Sequence, residues 1–164
     1  MEAEKNIWRT DPATLLDVVL DRATMEARLA DCTAMERVWV LSLLGRGEEA
    51  ITAGRTLLAT SEDPFRALMV LAHAYQRMYR WRDAARLHEK ALRLANTRTK
   101  EALVRYQIGR RLYDEGLYRD AAAEFDWAQD LYRSAGRARQ AQTSREARDR
   151  ALTVHNRVQS SEDT

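Results

Sequence analysis

Three stretches of this chain align on one another: "LLGRGEEA" from Leu43, "RMYRWRDA" from Arg77 and "DEGLYRDA" from Asp114, each ending in an acid followed by alanine. The alanines are Ala50, Ala84 and Ala121, so the spacings are 34 and 37 residues. A period of that length marks a stack of supersecondary units, none of which buries its apolar face without its neighbours. Before each anchor lies an amphipathic helix with start signals in place. Thr33 and Glu36 have capping-box spacing, and Asp63-Pro64 supplies a cap acceptor followed by proline in the first turn. After each anchor, apolar residues recur three and four apart: Ile51, Leu57 and Leu58, then Leu87, Ala91 and Leu94, then Phe125, Ala128 and Leu131. Each unit therefore reads as a helical hairpin with a tight turn. The recurring "RWRDAA" and "LYRDAA" are the joint between its two helices.

These residues resemble the tetratricopeptide repeat, a 34-residue helix-turn-helix with a W-x2-L-G-x2-Y, A-x3-F, A pattern. In the middle unit Leu68 takes the Trp place, Leu71-Ala72 the Leu-Gly pair, Tyr75 the Tyr, and Ala84 and Ala91 the alanines, while His88 stands where Phe is expected. The next unit fits with Ile108-Gly109, Leu112, Ala121, Phe125 and Ala128; Arg105 replaces the Trp and the loop around "NTRTKE" carries three extra residues. The first unit is degenerate: it keeps Leu41, Ala50 and Leu57 but has Val38 for the small residue and Gly54 for the Phe. Ala72, Gly109, Ala84 and Ala121 are expected to let helix backbones approach closely.

The resemblance implies an all-α fold without β-sheet, a right-handed solenoid of antiparallel helix hairpins with flanking capping helices. Repeats fall at about 31–64, 65–98 and 102–135, with capping helices at 11–30 and 137–158 covering terminal faces that would otherwise be exposed. The first cap rests on Leu15, Leu16, Val19 and Leu20, the second on Ala147, Ala151, Val154 and Val158. Together these make one domain over 11–158, between a flexible N-terminus at 1–10 and a flexible tail at 159–164.

The resemblance also implies a concave groove lined by the first helix of each hairpin. Helical spacing places Cys32, Met35, Trp39 and Ser42 there, then Arg66, Met69, His73 and Gln76, then Leu103, Tyr106, Arg110 and Tyr113. Methionines, aromatics and two arginines suit an amphipathic helix or extended peptide carrying an acid. Met35 and Trp39 would serve equally as intersubunit or capping core. Relatives that clamp a peptide's terminal carboxylate use Lys and Asn on this face, and neither occurs among these residues. The expected function is a non-enzymatic adaptor or chaperone-like scaffold for another protein.

Charge leaves a second reading open. The net +2 divides into −5 over residues 1–64 and +7 over 65–164, a polarity that steers an acidic partner, favours self-association between copies, or is simply solvated surface. Seven arginines against Glu146 and Asp149 in Arg133–Arg157 give the alternative of a regulatory domain contacting nucleic acid, although that segment has no aromatic between Arg137 and Val154 to stack on bases.

Other chemistry finds little footing. "GRGEEA" fits a dinucleotide fingerprint only where a βαβ unit presents it, and no second strand run is evident. His73, His88 and His155 lie on separate predicted helices without ligand partners, and Cys32 is the only cysteine, so neither a metal, a cofactor nor a disulfide is expected. The opening "MEAEKNIW" has no signal-peptide apolar run and no stretch is long enough to span a membrane, which points to a cytoplasmic, soluble protein.

Overall fold

A computed structural model describes residues 6–162. Eight α-helices dominate the described residues: α1 (Arg22–Ala27), α2 (Ala34–Leu43), α3 (Gly47–Thr60), α4 (Pro64–Arg77), α5 (Trp81–Leu94), α6 (Arg98–Asp114), α7 (Tyr118–Ser134) and α8 (Ala138–Glu162). The chain divides into two compact units, one built on Leu16–Lys90 with the strand ahead of it, the other on Ala91 onward with Pro12–Leu15. In the first, α2, α3 and α4 pack on one another; in the second, α7 packs against both α6 and α8.

Helices α2, α4 and α6 start where the sequence supplies an acceptor. Thr33 Oγ1 accepts from the Glu36 N–H at 3.1 Å, Asp63 Oδ1 from Arg66 at 3.3 Å with Pro64 opening the helix, and Thr97 Oγ1 from Lys100 at 3.1 Å.

They stop in one repeated motif. The Gly45 N–H donates to the Ser42 carbonyl (3.3 Å) and Arg46 N–H to Leu41 (2.9 Å); Tyr79 and Arg80 do the same to Gln76 (2.9 Å) and Tyr75 (3.0 Å), and Gly116 and Leu117 to Tyr113 (3.0 Å) and Leu112 (2.9 Å). A fourth copy closes α7, with Gly136 to Arg133 (3.1 Å) and Arg137 to Tyr132 (2.8 Å). This is the Schellman stop, which requires a left-handed residue after the helix. Gly45, Gly116 and Gly136 meet that requirement with φ of 78°, 83° and 71°; Tyr79 meets it at φ 57° despite its side chain. Five residues beyond each of these four positions comes a buried alanine: Ala50, Ala84, Ala121 and Ala141.

Glycine and tyrosine at one joint invite a paired measurement. A Cβ on Gly116 meets nothing within 4 Å, so Gly116→Ala isolates the backbone strain and is expected to cost about 1 kcal/mol. Tyr79 is 71% exposed, so Tyr79→Gly trades relief of that strain against glycine's entropy and the edge contact with Trp81, and should leave stability within about 0.5 kcal/mol of wild type. Urea unfolding midpoints of the two variants check the contrast.

The degenerate first repeat has a packing explanation. A Cβ on Gly109 of α6 would stand 2.6 Å from the Phe125 ring of α7, so the small residue on the first helix makes room for the large one on the second. On α3, a Cβ at Gly54 would meet Val38 of α2 at 3.3 Å and Leu71 of α4 at 2.7 Å. Val38–Gly54 thus exchanges the sizes of Gly109–Phe125, keeping the joint filled with the bulk on the opposite helix.

The N-terminal segment departs from expectation. In place of a capping helix over 11–30, Trp8–Thr10 (β1) and Asp17–Val19 (β2) form an antiparallel hairpin, pairing Trp8 with Val19, Arg9 with Val18 and Thr10 with Asp17. Only α1 and a single 3-10 turn, Arg28–Ala30, are helical in that stretch. The β-branched Val18-Val19 pair favours extended backbone, and the apolar residues at 15–16 and 18–20 satisfy both periods on paper. Of the flexible N-terminus expected at 1–10, residues 8–10 are β1 and 1–5 lie outside the described residues; α8 runs through 159–162 of the expected tail, and 163–164 are outside. At the second cap Ala141, Ser144, Ala147 and Ala151 are buried, whereas Val154 is half-buried and Val158 exposed. No helix among the described residues is long and apolar enough to cross a membrane.

Candidate functional site

The expected groove residues fall in two sets, one in each unit. In the first unit Met35, Trp39, Met69 and His73 are half-buried, Arg66 is exposed and Gln76 is buried. The hairpin occupies part of this face. Trp39 meets the edge of Trp8 at 5.0 Å between ring centres and packs on the cluster of Met25, Val40, Leu43 and Leu44 with Ile7 and Val19. Asp17 of β2 accepts from Thr10 Oγ1 at 2.8 Å, its carbonyl accepts from Arg77 Nη1 at 2.9 Å, and its carboxylate lies 3.7 Å from His73 Nε2. Arg77 Nε also donates to the Ser42 carbonyl at 3.2 Å, tying α2, α4 and β2 together.

Ser42, His73 and Asp17 invite comparison with a nucleophile, base and orienting acid, since Ser42 Oγ is 3.2 Å from His73 Nδ1. The hydrogen-bond directions argue otherwise. Ser42 gives its proton to the Trp39 carbonyl at 2.7 Å and is 2% exposed, so its oxygen is an acceptor with no room for a substrate. Each contact is a buried polar strap holding β2 to α2 and α4.

In the second unit Leu103 is 37% exposed and Tyr106 half-buried, while Arg110 and Tyr113 are buried. Arg110 Nε donates to the Leu15 carbonyl and Tyr113 Oη to the Ala13 carbonyl, both at 2.8 Å. Leu15 itself is 6% exposed, in a cluster with Tyr113, Ala121, Ala122, Phe125, Ala147 and Ala151. The strip of Tyr106, Arg110 and Tyr113 that spacing places on one face therefore holds a piece of this chain's own backbone. Arg105, in the column where the repeat has Trp, lays its guanidinium 3.6 Å from the ring centre of the exposed Trp127 and pairs with Glu124.

Leu15, Asp17 and Ser42 carry much of this geometry, and sequence reasoning did not single out the first two as site residues. Their signal was Pro12 and the Val18-Val19 pair, which together break a helix into a turn and a strand.

Tyr132 sits beside Ala102, Ala128 and Ala141, and burial, with a smaller contribution from Tyr106, pushes its hydroxyl from an ordinary 10 up to about 12. The folded state then holds the proton more tightly than the unfolded chain. Its contribution to stability is complete below pH 10 and is lost as pH rises from 10 through about 12. Urea midpoints measured across that window should fall more steeply for the wild-type chain than for Tyr132→Phe.

The arginines of the C-terminal segment are partly engaged: Arg148 pairs with Asp126 at 2.7 Å and Asp149 at 2.9 Å, and Arg133 with Asp130 at 2.6 Å. Side-chain hydrogen bonds to Asp126 and Asp149 raise the Arg148 pKa further. No three His, Cys, Asp or Glu side chains among the described residues gather in a metal-binding cluster.

No protein-family model matches the chain, and no curated protein or solved structure matches it significantly.

Proposed function

We propose that this protein is a non-enzymatic helical-repeat scaffold, similar to tetratricopeptide-repeat proteins and acting in the cytoplasm, that binds a segment of another protein on the first-helix faces of its hairpins. The observation that carries the reading is the contact of Arg110 and Tyr113 with main-chain carbonyls of the Pro12–Leu15 turn, because donors aimed at backbone with an apolar cluster beside them are the elements of peptide recognition. The recurring joint supports the repeat itself: four helix ends share one hydrogen-bond pattern and one buried alanine position. Exposed Arg66 and Leu103 and half-buried Met69 extend these faces with charge and apolar area.

Co-purification of the tagged full chain from its native cell tests the reading. A bound protein should be retained by wild type and lost from the Arg66→Glu and Leu103→Glu variants with the helical spectrum unchanged. Recovery of DNA or RNA, in a complex whose affinity falls steeply with salt, would favour the nucleic-acid alternative instead.

A further inference from the structure

The N-terminal hairpin has one covered edge and one open edge. The Leu20 N–H donates to the Ile7 carbonyl and the Asp11 N–H to the Leu16 carbonyl, both at 2.8 Å, so the alternation of an antiparallel ladder makes Arg9 and Val18 the bonded pair between them. The main-chain N–H and C=O groups of Trp8 and Thr10, like those of Asp17 and Val19, therefore point away from the paired strand. On β2 this outer edge is covered, with the Asp17 carbonyl accepting from Arg77 Nη1 at 2.9 Å. On β1 it is open: Trp8, Arg9 and Thr10 are exposed, and the main-chain groups of Trp8 and Thr10 have no partner among the described residues.

An open strand edge is a template for another strand, and Arg9 decides which kind. Two copies pairing antiparallel through Trp8 and Thr10 would set Arg9 directly opposite Arg9, in the non-hydrogen-bonded position where side chains come closest. Like charges disfavour that pairing, whereas an acid at the same position is favoured. An open groove of about 710 Å³ borders β1 and is also lined by Arg28, Asp21 and Thr24. Arg28 faces Glu36 at 3.6 Å, and Asp21 accepts from the Thr24 N–H at 3.0 Å. Arg9 has no ion-pair partner among the described residues.

We propose that β1 accepts an extended acidic segment of a partner protein as a third strand. The segment runs antiparallel to β1, pairs with the main chain of Trp8 and Thr10, and sets a carboxylate opposite Arg9. The residue after the acid falls opposite Trp8, whose ring is 37% exposed beside Trp39, so an apolar side chain suits that place. Pairing at β1 needs none of the first-helix faces and stands or falls apart from the scaffold reading.

The test titrates a capped peptide, Ser-Thr-Thr-Glu-Val-Thr-Ser, into the isotope-labelled full chain. Saturable shifts and slowed hydrogen exchange are expected at the Trp8 and Thr10 amides. A peptide with Lys in place of Glu should bind at least about threefold more weakly, and Arg9→Glu should reverse that order. Methylating the peptide's valine nitrogen, which removes the donor aimed at the Trp8 carbonyl, should abolish binding. The ratio of the two peptides on wild type decides the matter should Arg9→Glu misfold. Absence of saturable shifts at Trp8 and Thr10 with millimolar peptide, equal binding of the Glu and Lys peptides, or binding that survives methylation would overturn the proposal. A wild-type dimer with contacts between the β1 strands of two copies would make a second copy the occupant, contrary to the proposal.

Discussion

Gly109→Leu should lower the melting temperature by roughly 4–10 °C, a loss of about 1–3 kcal/mol or somewhat more. The first atom of the new side chain would already be 2.6 Å from the Phe125 ring, which is itself fully buried. The ring has little room to yield, because the same cluster holds Ala121, Ala122, Ala147 and Ala151 and Tyr106 lies 5.4 Å from it between ring centres. Relief would require α6 and α7 to separate. Thermal unfolding followed by circular dichroism checks the value, and an unchanged melting temperature would remove Gly109 from that contact.

Phe125→Ala is expected to cost more, about 3–5 kcal/mol, since it empties a fully enclosed volume between α6, α7 and α8. The two substitutions act on one contact and should not add. In the double variant the leucine enters the space the phenylalanine leaves, so its loss should fall short of the summed single losses by at least about 1 kcal/mol in urea unfolding. The Val38–Gly54 pair is the native precedent for such an exchange of sizes.

The repeat was legible because its determinants are local. A helix stop needs a left-handed residue, a turn later comes an alanine where backbones meet, and the spacing of Gly45 to Ala50 and Gly116 to Ala121 displays both. The same spacing from Gly136 to Ala141 marks the fourth joint, hidden from a search for 34-residue periods because it follows the third after only 20 residues. Tyr79 was legible by alignment alone, since nothing in a tyrosine announces positive φ. The hairpin was not legible as such: Leu15, Leu16, Val19 and Leu20 fit a helical stripe, and the choice of strand is made by partners distant in sequence, Arg77 and His73 for β2 and Arg110 and Tyr113 for the turn. That same distance explains the groove. Helical spacing placed Arg110 and Tyr113 on one face, but what lies on that face is set by a segment about 95 residues away along the chain.

A photo-crosslinking amino acid placed at Leu103, on the α6 face, and separately at Arg139, exposed on α8, compares the two surfaces within the native cell. Protein adducts from position 103 with none from position 139 are the predicted result. Adducts confined to position 139, or nucleic acid recovered at either position in place of protein, would contradict the account of this chain as a scaffold that holds a polypeptide on its first-helix faces.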